Sequence, residues 1–227
     1  CHDRSHGWCA RFCCAKSGQG HPRGGQPGQG LSVARPIAKD HTAKRDHILK
    51  TAASVFAEVG FVRASMSQVA KDCGISKANI YHYYDSKDAL LFDILDTYLK
   101  ALRDRLLLLP IEGMPPEAQL KTIVAATLQA YEGMDDEHKI QTEGIPLLRP
   151  DQQTILKGYQ RDMVRQLSDI LVGCAPELSS DRARQRGVTM SVFGMLNWFF
   201  MWNGGAGKAE REEYAELVSG LVLGGVG

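Results

Sequence analysis

The stretch "SQVAKDCGISKANIYHYYDSKDALL", residues 67–91, gathers three tyrosines, a histidine and three lysines around one central glycine. Just upstream, Ser65 followed by Gln68 has the spacing of a capping box, and Val69 and Ala70 supply inward positions, so a short helix is expected over about 66–73. Gly74 supplies the left-handed residue that ends it. Ser76 can cap the next helix across Lys77 to Tyr83, and Ser86 a longer one running through Leu90, Leu91, Ile94, Leu95, Tyr98, Leu102 and Leu106 until Pro110 stops it. Two short helices joined by "CGIS" make a helix-turn-helix. The small side chain of Ala70 lets the second helix cross closely over the first and protrude, and a protruding helix fits a DNA major groove about 12 Å wide. In that geometry Lys77 offers a point charge, Tyr81 and His82 offer donors to the DNA backbone, and Asn79 is the reader of a base edge. Ile80 and Tyr84 are expected in the core, with Tyr83 divided between packing and contact.

Upstream, Ile48, Leu49, Ala52, Val55, Phe56 and Val59 recur at threes and fours, which predicts a first helix over about 43–59 ended by Gly60. The apolar fraction of 44% is enough for a real core. Net charge is only +1, so affinity for a polyanion must come from an uneven distribution. Residues 1–45 hold eight Lys/Arg against two Asp, while the remainder holds 19 basic and 24 acidic residues. Arg35, Lys39, Lys44 and Arg45 form a basic arm able to reach DNA phosphates or the minor groove, or equally a solvated tail.

The run "SGQGHPRGGQPGQG", residues 17–30, cannot bury enough apolar surface to offset its ordering entropy, and the tail over 1–40 is expected to be disordered. Cys1, Cys9, Cys13 and Cys14 precede it near His2 and His6, but their spacing suits neither zinc knuckles nor a disulfide framework, so no metal is expected. No methionine occurs before Met66, and residues 1 to about 32 are expected to be an over-long reading of the start.

Beyond residue 110 the pattern is helical throughout. Helices are expected from Pro115-Pro116 to about Gly133, over about 136–148, from Pro150 to about Val172, from Asp181 to about Trp202, and over Ala209–Leu223. The polar run Glu132, Asp135, Asp136, Glu137 and His138 reads as a solvated turn and not as a catalytic cluster, so no enzyme is expected. "MSVFGMLNWFFMW", residues 190–202, is far short of the ~20 residues a bilayer span requires. It is nonetheless apolar nearly all round, and such a helix requires a partner.

"ILKTAASVFAEVGF", the opening stretch and the long helix after it resemble the DNA-binding region of the TetR family of bacterial transcriptional repressors, over about 45–105. The resemblance implies an all-α fold: a three-helix helix-turn-helix domain over 41–88, then a larger helical effector-binding and dimerisation domain over 89–227. By position it implies phosphate contacts at Ser76, Lys77, Tyr81, His82 and Lys87, a base contact at Asn79, and Ala78 on the same surface. Ala64 stands where the family usually has a phosphate-touching Thr, and Ser65 or Ser67 is the candidate to replace it. Cys73 stands where Ala is usual and reads as a small buried thiol. The implied partners are a double-stranded operator, a second copy of the chain and a small hydrophobic effector, in the bacterial cytoplasm and with no cofactor. "EGIPLLRPDQQ" and "NWFFMWNGG" are similar to a branch responding to acyl-CoA thioesters, with Arg149, Arg161 and Arg165 as candidate phosphate cations. Met134, Arg149, Tyr159, Met163, Met195 and Trp198 are the expected ligand residues, and Met190, Phe193, Phe199, Leu217 and Leu221 the expected dimer contacts. The alternative is a helical protein-interaction module that binds no specific DNA.

Overall fold

A computed structural model describes residues 34–226; the cysteine- and histidine-containing tail, and with it the expectation about the start of the chain, lies outside the described residues. Nine α-helices occur among them: α1 Ala34–Val59, α2 Met66–Asp72, α3 Lys77–Tyr83, α4 Lys87–Leu107, α5 Pro116–Ala130, α6 Asp135–Gly144, α7 Pro150–Cys174, α8 Arg182–Trp202 and α9 Lys208–Val226. No strand interrupts them in that range.

The first helix begins at Ala34, well ahead of the apolar periodicity and inside the segment expected to be disordered. Pro36 falls in its first turn, where a missing N–H costs nothing, and the alanines and lysines nearby are good helix formers. Capping serines set the next three starts: Ser65 Oγ accepts from Gln68 N, Ser76 Oγ from Asn79 N and Ser86 Oγ from Ala89 N. Each satisfies an amide that the helix itself leaves unpaired.

One core runs through the molecule. Ile48, Ala52 and Phe56 of α1 pack with Val69 and Ile80 of the short helices and with Leu90, Leu91 and Leu95 of α4. The same α4 continues into the C-terminal half, where Leu99, Leu102 and Leu106 meet α5 and α7. It is therefore the mechanical link between the halves, crossing the expected boundary near residue 88 without a break. The last residue of α6, Gly144, lies so close to α4 that a Cβ there would be 3.2 Å from Leu91 Cδ1. That close approach couples α6 to the same helix that carries the helix-turn-helix. No described helix is long and apolar enough to cross a membrane.

Candidate nucleic-acid interface and effector cavity

The turn between α2 and α3 is a complete Schellman motif. Gly74 at φ +69 donates to Lys71 O, and Ile75 donates to Ala70 O, both at 3.0 Å. A residue with a Cβ is strained at that φ, so the turn favours glycine at position 74. His47 Nε2 lies 3.3 Å from Cys73 O and fastens the turn to α1. The thiol of Cys73 is buried and its pKa is raised by that burial, which suits packing and not reactivity.

The turn leaves α3 with one buried residue, Ile80, at 0% exposure. Lys77, Ala78, Asn79, Tyr81 and His82 of α3 are exposed, as are Ser65, Ser67 and Ser76 at the starts of α2 and α3. Among the described residues no hydrogen bond or ion pair engages the side chains of Lys77 or Asn79 or the Tyr81 hydroxyl, so their donors are free. Tyr84 is buried and Tyr83 is half-buried, stacked on His41 with ring centroids 4.9 Å apart.

Lys87 is placed differently from the expectation of a phosphate contact. Its Nζ donates to Phe61 O at 2.6 Å, Ala64 O at 2.9 Å and Val62 O at 3.1 Å, and sits 4.5 Å from the Phe61 ring centroid. An ammonium has three donors, and all are spent inside the protein. Lys87 is thus a tether that pins the α1–α2 turn to the start of α4. Arg45 is likewise drawn away from an arm-like role: it makes a two-pronged contact to Asp93 at 2.6 and 3.1 Å and reaches Thr97 Oγ1 at 3.2 Å. The Tyr84 hydroxyl donates to the same carboxylate at 2.6 Å. Burial, and then the Asp93 charge, push the tyrosine's pKa up, so it stays a donor. Asp93 therefore joins α1, the end of α3 and α4 at one point.

In the C-terminal half, a cavity of about 400 Å³ lies between α4, the end of α6, α7 and α8. Leu99, Leu102, Ile145, Met163, Val164 and Phe193 line it, with Tyr131, Gln141 and Asn197 at one side and Lys157 at another. Of the expected ligand residues Met163 is there. Met134 lines a separate cavity, Arg149 is exposed and held by Asp151 at 2.7 Å, and Tyr159 donates to Asp96 at 3.0 Å beneath Arg103. Met195 is half-buried outside the lining, and Trp198 is 63% exposed. Residue type alone suggests these five, and helical phase turns them elsewhere.

His138, expected in a solvated turn, is buried between α4, α5 and α8. Its Nε2 lies 3.0 Å from Asn197 O and donates to it, which leaves Nδ1 to accept from Tyr98 Oη at 3.0 Å and Gln141 Nε2 at 3.2 Å. Tyr131 completes the set by donating to Asn197 Oδ1 at 2.8 Å. Burial lowers the histidine's pKa and raises those of Tyr98 and Tyr131, so the cluster is neutral. The signal available in the sequence was a helical one: His138 falls on the inward phase of α6 with Gln141.

Met190, Trp198, Met201 and Trp202 of α8 and Leu217 and Leu221 of α9 are exposed, with Gly187, Gly194, Gly220 and Gly224 among them. Met190, Leu217 and Leu221 present the exposed apolar surface that a dimer contact requires, and Met190 also lines the cavity. Phe199 does not: it is 1% exposed, stacked on Tyr214 at 4.6 Å, and belongs to the monomer's own core. Phe193 faces the cavity.

A protruding, capped helix with free donors, rigidly tied to a cavity-bearing helical body, defines a DNA-binding regulator of the helix-turn-helix class. Residues 48–94 match the model of bacterial regulatory proteins of the tetR family, and residues 113–226 that of a tetracyclin repressor-like C-terminal domain. The chain belongs to the TetR family, whose members are DNA-binding, generally ligand-responsive transcriptional regulators and not enzymes. A TetR-family regulator from Bordetella parapertussis 12822 is 31% identical, with a TM-score of 0.74 over 79% of this chain and 93% of that one. The repressor KstR2 of Rhodococcus jostii is 30% identical over 106 residues, 45% of this chain and 50% of its own length. AibR, solved with isovaleryl coenzyme A and operator DNA, shares the fold at 21% identity and a TM-score of 0.67, over 78% of this chain and 97% of that one. Alignments with the curated relatives YerO, YuxN and KstR2 span between 25% and 50% of those proteins' lengths.

Proposed function

We propose that this chain is a repressor that binds a palindromic operator as a homodimer and releases it when a small hydrophobic effector enters the α4–α6–α7–α8 cavity. The observation that carries the reading is the continuity of α4. Its Leu99 and Leu102 line the cavity, while its Asp93 and Lys87 hold α1, α3 and the α1–α2 turn. An effector that favours a different position of α4 changes the placement of α3, and DNA release follows by linkage. Lys77, Tyr81, His82, Ser65, Ser67 and Ser76 position the protein on phosphates, and Asn79, with Ala78 beside it, reads a base.

The exposed apolar surface of α8 and α9 supports the dimer: its glycines allow close approach, and pairing with its copy as a four-helix bundle would bury Met190, Leu217 and Leu221. A two-fold dimer presents its recognition helices about one DNA turn apart, or a multiple of it. An acyl-CoA thioester is the effector class we favour. The cavity is apolar and of a size for an acyl chain, Lys157 stands in its lining, and Arg161 and Arg165 are exposed on the same helix for the phosphates. Arg149, already paired, is not needed. Such a regulator works in the cytoplasm with the DNA it controls.

The test is binding to the DNA flanking the protein's own gene at fixed salt, with and without a panel of acyl-CoA esters. Specific binding released by one ester is expected. Specific binding indifferent to every ester removes the effector class, and absence of salt-dependent duplex binding returns the chain to a protein-interaction module.

A further inference from the structure

A second cavity, of about 380 Å³, opens where α1, α4 and α6 meet, and no role described so far uses it. Its floor is apolar, formed by the buried Leu49 of α1 and Ile94 and Leu102 of α4, with Ala101 in its exposed part. Its size falls within the range of about 300–1,000 Å³ that holds small ligands. Four charges stand round it: Asp46 and Glu137, and Lys50 and Arg105. Among the described residues the side chains of Glu137, Lys50 and Arg105 make no ion pair, and Asp46 lies 3.7 Å from Arg45.

The signs decide what fits. With two acids and two bases at the rim, a charged ligand gains no net attraction, whichever sign it carries. The floor rewards apolar area at about 25 cal/mol per Å² removed from water. We propose that this junction is a second ligand site, for a neutral and largely apolar small molecule, and that its occupancy is coupled to DNA binding and to the effector cavity.

The coupling has a visible route. Leu102 lines both cavities. Beside it Tyr98, in the wall of the second, bonds His138, which bonds Asn197 and Gln141 in the wall of the first. The two cavities thus stand back to back across one layer of side chains. The second also contains residues of α1 itself, so a molecule seated there sets the spacing between α1 and α6. By reciprocity, whatever it does to DNA affinity DNA must do to it. The proposal is independent of the acyl-CoA reading.

The probe is N-phenyl-1-naphthylamine, neutral and fluorescent in apolar surroundings, titrated into the full chain. Ala101→Phe fills the second cavity from an exposed position, and Val164→Phe fills the effector cavity. Ala101→Phe should weaken one class of probe sites at least about tenfold, a 1.4 kcal/mol effect, while Val164→Phe leaves that class in place. Probe should change operator affinity in wild type and Val164→Phe but not in Ala101→Phe. Arg105→Gln, which unbalances the rim, should favour a cationic naphthyl probe over the neutral one. A titration that Ala101→Phe leaves unchanged overturns the site, since the probe then sits in the effector cavity or on α8 and α9. Loss of a probe class without any change in operator affinity overturns the coupling.

Discussion

The DNA-binding head and the C-terminal body pair their polar groups by different rules. In the head, the capping serines bond amides three residues on, at Gln68, Asn79 and Ala89. In the body, His138 meets Asn197 across 59 residues of sequence, Tyr131 meets Asn197 across 66, and Arg211 meets Leu128 across 83. The head is specified by spacing and the body by docking. The head's longer ties, Arg45 to Asp93 and Lys87 to the α1–α2 turn, then aim an already formed unit along α4.

The largest effect that would test this contrast lies at Arg211. It is 2% exposed, donates to Leu128 O at 3.0 Å and Ala206 O at 3.1 Å, and lies 5.5 Å from the Phe199 ring centroid. Replacement by Ala takes the donor from Ala206 O, leaves Leu128 O with only the Tyr131 amide, and opens a void, at a cost of about 3 kcal/mol or more in urea unfolding. The fraction still folded should bind DNA with unchanged affinity. Next comes Asp93→Ala, which takes the acceptor from the Tyr84 hydroxyl and leaves Arg45 with Thr97 Oγ1 and Asp46. About 2 kcal/mol of stability should go, and DNA affinity should fall with it because α3 loses its anchor. Equal losses of DNA affinity from the two variants, corrected for folding, would erase the distinction between the halves.

A third comparison sits within the head. Asn79→Ala should relax preference at one base position by about 1–3 kcal/mol, whereas Lys77→Ala should weaken all sequences alike and reduce the salt slope by about one. Binding to the operator, to single-position variants and to random duplex separates the two. Equal loss on every duplex for both variants removes the division of roles.

The contrast also explains what could be read in advance. Ser76, Gly74 and Ser86 announce α3, the turn and α4 because each acts on backbone within four or five residues, and those boundaries emerge as expected. Lys87 carries the same kind of local signal at a helix start, yet its partners lie on the preceding turn, more than 20 residues back. Composition marks α8 as a helix needing partners on most sides. It cannot divide Phe199, which packs on Tyr214 within the monomer, from Trp198, which faces out. That division depends on where α9 returns. His138 departs from expectation for a similar reason: an acidic neighbourhood at residues 135–137 suggests solvent, but those acids open α6 near its positive end while the next residue turns inward.

The smallest expected effect concerns that histidine and has a definite sign. Burial, the largest influence, lowers the pKa of His138 in the folded protein below its ordinary value of about 6.5. Below that value the unfolded chain binds a proton that the folded one refuses, so the stability His138 contributes is present above about pH 6.5 and is lost as pH falls towards the folded pKa. Protonation would also place a proton on Nδ1 facing the Gln141 amide, itself a donor at 3.2 Å. Glu137 works in the opposite direction, since burial raises its pKa and the folded state takes up the proton first as pH falls. The net slope therefore mixes two signs, and a variant is needed to separate them. His138→Gln should be less stable than wild type at pH 7.5, with the gap narrowing as pH is lowered to 5.5, because only wild type loses the histidine contribution. Urea unfolding at the two pH values measures it. A gap that stays constant or widens on acidification would mean that His138 accepts its second proton in place, and that the Tyr98–His138–Asn197 layer between the two cavities is a charged hinge instead of a neutral one.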